Sequence, residues 1–112
     1  MGEISVPTTS LAEIATDFPY QEGRVSPHTL LDTPSVRVIH IALDVGTELK
    51  EHMTSYPIVV EVIEGTISFG VNAQEYVLEA GGMIHVEAKL LHAVRAITQS
   101  RINIMLLKVA KA

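Results

Sequence analysis

The chain has 112 residues, 47% of them hydrophobic, a formal net charge of −5 and no cysteine. That length is one domain with a buried core, and the lack of cysteine excludes disulfides, thiolate metal sites and cysteine nucleophiles. The acidic balance, without any Lys/Arg cluster, excludes a phosphate-binding face for nucleic acid, and no apolar run approaches the ~18 residues of a membrane span.

Met1 to Thr9 reads as a loose arm containing Pro7. It lacks the basic stretch and apolar run of a secretory signal, so the expected compartment is the cytoplasm. Ser10-Leu11-Ala12-Glu13 fits a capping box, in which the serine accepts from the amide three residues on and the glutamate reaches back. A short helix is expected over Leu11 to Thr16, stopped ahead of Pro19. Residues 1–19 are thus an arm with a short helix, and residues 20–112 the folded domain.

From Tyr20 onward the pattern is all-β. Strands are expected at Val25 to Leu31, at a sheet edge because of Pro27, and at Val36 to Leu43, Leu49 to Met53, Ile58 to Ile63 and Thr66 to Val71. After a hairpin loop at Asn72-Ala73-Gln74 come Glu75 to Leu78, Met83 to Val86, His92 to Ile97 and Arg101 to Val109. Turn signals at this spacing indicate a β-sandwich or barrel. Ile104-Met105-Leu106-Leu107 is apolar at every position, whereas a strand at the rim of a monomeric barrel alternates. With the high hydrophobic content, this run predicts a homodimer.

Two stretches carry the chemistry. Gly46 to Gly65 holds His52 ahead of an apolar run, and Gly81 to Ala96 holds His92 in an echo of it. The chain has no G-x-S-x-G elbow and no glycine-rich phosphate loop. Phe18, Tyr20, Tyr56, Phe69 and Tyr76 are too scattered for a stacking platform. Tyr56 lies between His52 and the Ile58 strand, where it either hydrogen-bonds a ligand or packs beside Pro57. His40, His85, Glu61 and Glu87 read as ordinary solvated or hydrogen-bonded polar residues, and His28 carries no argument.

The two stretches resemble the paired motifs of the small single-domain cupins, G-x5-H-x-H-x3-4-E-x6-G and G-x5-P-x-G-x2-H-x3-N. Gly46, His52 and Gly65 match the first, and Gly81 and His92 the second. The likeness runs from about Tyr20 to Val109. It implies a double-stranded β-helix, the cupin jelly-roll barrel, over residues 20–112. It also agrees with a homodimer, because small cupins commonly pair through an outer sheet face. In the family, H-x-H sets two imidazoles on one face of a strand; the glutamate and the second motif's histidine complete a site for a divalent transition metal. This chain departs from that set. Thr54 replaces the second histidine and Ile58, expected to face inward, replaces the glutamate. Glu87, Lys89 and Ala96 replace the second motif's proline, glycine and asparagine.

Two readings follow. In the first, the protein binds a small molecule in a barrel interior lined by Ile58, Val60 and Val62, with His52, Thr54, Tyr56 and His92 around one end. A divalent metal such as Zn, Mn, Fe or Ni is then held weakly, by His52 and His92 alone. In the second, it is a metal-dependent enzyme, dioxygenase- or isomerase-like, acting on a small organic substrate. Both histidines are expected at strand ends near a cavity, where replacing either costs little stability.

Overall fold

The β-branched, alternating segments pair into two facing antiparallel sheets, seen in a computed structural model that describes residues 14–109. The strands are β1 (Val25–Asp32), β2 (Val36–Leu43), β3 (Glu48–His52), β4 (Ile58–Glu64), β5 (Thr66–Val71), β6 (Gln74–Glu79), β7 (Met83–Val86), β8 (His92–Ala96) and β9 (Ser100–Leu107). One sheet has the order β1-β2-β9-β4-β7 and the other β3-β8-β5-β6. The chain therefore crosses repeatedly between sheets, as in a jelly roll.

Local chemistry explains the connections. Asn72 and Ala73 both take positive φ, 51° and 63°, the two-residue turn whose twist matches that of its flanking strands. Gly65 joins β4 to β5 at φ +81°, and a Cβ there would lie 2.1 Å from the Gln99 carbonyl oxygen. Only glycine fits. Pro27 sits in β1, whose single partner is β2, so its missing N–H leaves the ladder intact at the sheet edge.

The core lies between the sheets. Ile41 and Leu43 from β2, Ile58, Val60 and Val62 from β4, and Ile102 and Ile104 from β9 face Ile67 and Phe69 of β5 and Val94 and Ala96 of β8. Each of these side chains except Ala96 contributes roughly 1.5–3 kcal/mol by leaving water. The expected strands agree with the observed ones to within a residue or two at most ends.

The described helical residues are the single turn Ile14–Asp17, at the end of the expected short helix; Ser10–Glu13 and the start of that helix lie outside the described residues. The final strand, apolar at every position from Ile104 to Leu107, is central. β9 lies between β2 and β4 in the middle of its sheet. Ile102, Ile104 and Leu106 belong to the core side, and Met105 and Leu107 alternate onto the outer face. Its apolarity on both faces begins with that central place.

Candidate functional site: a pair of opposed imidazoles

A β-bulge builds the site. In the β3–β8 ladder Leu49 opposes Val94 and His52 opposes His92. Three steps along β3 match two along β8, so Lys50 and Glu51 together oppose one residue. Strict alternation from inward-facing Leu49 would turn residue 52 outward. The extra residue returns it to the inner face. The bulge also supplies a partner for the ring, since His52 Nδ1 lies 3.0 Å from the Lys50 carbonyl oxygen. A carbonyl only accepts, so Nδ1–H donates and a neutral His52 ring keeps its lone pair on Nε2.

The two rings meet edge to face, with centroids 4.3 Å apart and planes at 67°. His92 also stacks on Phe69 at 5.8 Å. The pair is asymmetric: His52 is exposed, whereas His92 is 2% exposed. The Nε2 atom of His92 is buried and has no hydrogen-bond partner among the described residues. Burial, and then the proximity of His52, hold His92 below the ordinary histidine pKa, so its ring is neutral at neutral pH.

The other expected site residues fall around this pair in different ways. The Thr54 hydroxyl donates to the Tyr56 carbonyl at 2.7 Å and is spent on the β3–β4 loop. Tyr56 is partly exposed on that loop. Ile58 and Val60 are buried in the core, as is Val62. Ile58 lies on the opposite sheet, opposed to Val86 on one side and Leu106 on the other. Glu61 opposes Met83 and Asn103 on the outer face. The amide of Lys89 donates to the Thr54 carbonyl at 2.9 Å, tying the β7–β8 loop to the β3–β4 loop beside the histidines. Lys89 takes φ 65°. The left-handed backbone that the motif's glycine permits is therefore kept without the glycine.

Among the described residues, no group of three or more His, Asp or Glu side chains is placed to hold a metal. Two imidazoles, a committed threonine hydroxyl and a core isoleucine do not fit the family's three-histidine, one-carboxylate centre. Two adjoining surface depressions, the larger of about 180 Å³, lie between Glu48, Glu51, Gly70, Glu75 and Ala93; neither is lined by a histidine.

The sequence profile of the cupin domain matches residues 39–107, which contain both histidines and both motif stretches. The chain is a cupin. Solved structures share the fold at low identity. A conserved protein of unknown function from Streptococcus pyogenes superposes with a TM-score of 0.82 at 17% identity, covering 99% of this chain and 98% of that one. A cupin superfamily protein from Desulfitobacterium hafniense gives 0.80 at 16%, covering 91% and 94%. KdgF from Halomonas gives 0.73 at 13%, covering 84% and 91%. No curated protein matches the chain. The small cupins commonly carry a transition metal; in this member two of the four ligand positions hold imidazoles.

Proposed function

We propose that this cupin is a binding module that takes a small organic molecule at its two-histidine end, with a divalent transition metal held weakly at most. The observation that carries this is the buried, unpartnered Nε2 of His92 beside His52. A buried polar atom without a partner costs free energy unless something else satisfies it. His52, exposed and covering one side of the pair, is the ring that moves to admit a ligand. The nitrogens of the two rings suit a hydroxyl or amide head group. They suit a resident dication poorly, because no carboxylate offsets its charge.

Calorimetry with Zn²⁺ and Ni²⁺, alongside elemental analysis of the purified protein, tests this reading. We expect well under one equivalent of metal as purified, released by a mild chelator, and residual binding lost in His92→Ala. One tightly held equivalent overturns it and favours the metal-dependent enzyme.

The same proposal includes a homodimer. Met105 and Leu107 share the outer face of the five-stranded sheet with Val38, Val59 and exposed Met83. Light scattering should give about twice the 12.2 kDa chain mass; a monomeric mass at micromolar concentration removes the pairing.

A further inference from the structure

A second cluster of titratable groups lies on the outer face of the five-stranded sheet, whereas His52 and His92 belong to the four-stranded sheet. Its centre is Arg101, 5% exposed. The guanidinium donates to the Phe18 carbonyl at 2.7 Å, lies 3.3 Å from the Glu64 carboxylate and stacks over the Tyr20 ring at 4.3 Å. Tyr20 donates to Glu64 in turn. A bulge makes this arrangement possible: the β4–β9 register slips between Val62 and Glu64, so Glu64 opposes Arg101 on the outer face.

His40, 1% exposed, completes the cluster. Its Nε2 lies 3.2 Å from Arg101 Nη1 and its Nδ1 2.8 Å from Asn103 Oδ1. A guanidinium only donates. Nε2 must therefore accept, Nδ1–H must donate, and the ring must be neutral. The chain before β1 closes over it, with Phe18 stacked on His28 at 4.3 Å and 6.1 Å from His40. His40, Ser26 and Ala42 point to the outer face yet are buried.

We propose that His40 is an acid-sensitive latch: its protonation turns Nε2 into a donor, expels the Arg101 guanidinium, and lifts the Phe18–Tyr20 stretch off the sheet. The groups that face His40 favour this response. Arg101 on β9 is cationic, His28 on β1 is a second imidazole, and Asn103 on β9 is neutral. Glu61 lies beyond Asn103 in the same cross-strand row. From the covering stretch come Phe18 and Tyr20. Glu64 pairs with Arg101 and Tyr20 rather than with the imidazole. Among the described residues, no carboxylate touches the ring to offset a second charge. Burial, and then Arg101 and His28, depress its pKa, in partial opposition to the Asn103 bond. Lifting uncovers His40 and Ala42 on the face that carries Val38 and Met105. Acid therefore changes the surface offered for pairing.

Hydrogen exchange of the segment from Ile14 to Arg24, read by mass spectrometry and corrected for intrinsic rates, tests the latch between about pH 8 and about pH 5. Opening should be flat above the ordinary histidine value of 6.5 and rise by up to about tenfold per pH unit below it, the slope of one proton taken up. His40→Gln keeps an acceptor for Arg101 and a donor for Asn103, and should flatten the response; Glu64→Gln should keep it. A flat wild type, a slope surviving in His40→Gln, or one lost in Glu64→Gln overturns the proposal. Should His40→Gln fail to fold, NMR titration of the wild-type His40 ring decides: protonation in step with opening supports the latch, and protonation out of step overturns it.

Discussion

His52 and His92 oppose one another across β3 and β8 because β3 carries one residue more than β8 between that pair and the Leu49–Val94 pair. The relationship joins an exposed ring to a buried one, so the two histidines differ energetically although they share a site. The expectation that either can be replaced cheaply is therefore kept for His52 and revised for His92.

His52→Ala should lower stability by less than about 1 kcal/mol, the range of exposed substitutions. His92→Ala removes a buried ring stacked on Phe69 and should cost about 2 kcal/mol through the cavity it leaves. Urea denaturation of both variants checks this. Equal losses would mean that the two rings are equally packed.

The double substitution Thr54→His with Ile58→Glu restores the family's four ligand types. It should raise zinc or nickel affinity sharply, by at least about a hundredfold for two added ligands. Ile58 is 1% exposed, so without metal the new carboxylate should destabilise the fold by several kcal/mol, roughly 3 or more. Thermal melting with and without metal reads both effects. A variant that binds no better than the parent would show that the backbone no longer sets these positions around a common point.

Stability should fall on acidification in two stages. His40 and His92 are both held below their ordinary value of 6.5, chiefly by burial. The unfolded chain then takes up protons first, so this contribution is complete above that value and lost as the pH falls below it. Asp32, bonded to Lys108 and Arg37, and Asp44, bonded to the Gly23 amide and Gln99, are both held below the ordinary 3.8. Their contribution is complete above that value and lost below it. Melting temperature measured against pH should show the first decline beginning near neutrality. A curve level down to the carboxylate range would contradict the buried, neutral state of the two imidazoles.

Lys89→Gly should stabilise the protein. Lys89 takes φ 65°, which costs a residue with a Cβ roughly 1 kcal/mol that glycine avoids; glycine's larger chain entropy returns part of that. A net gain of about 0.5 kcal/mol is expected in chemical denaturation. A loss would show that the Lys89 side chain holds the loop by itself.

Alternation, turn residues and motif spacing determined the number and order of the strands, the hairpin loop beginning at Asn72-Ala73, the inward face of Ile58, Val60 and Val62, and the family. These are local properties, since period-two patterning and positive φ are written in a few adjacent residues. Spacing also singled out His52 and His92 as partners. Tertiary structure alone decided which face each strand presents beyond a bulge. The slips at Lys50–Glu51 and at Ile63 turn His52 inward and Glu64 outward, and a bulge exists only relative to a partner strand distant in sequence. The central place of β9, the burial of His92 and the joining of Tyr20, His40, Glu64 and Arg101 are of the same kind. Each depends on segments tens of residues apart packing together, and no window of sequence contains both sides of such a contact.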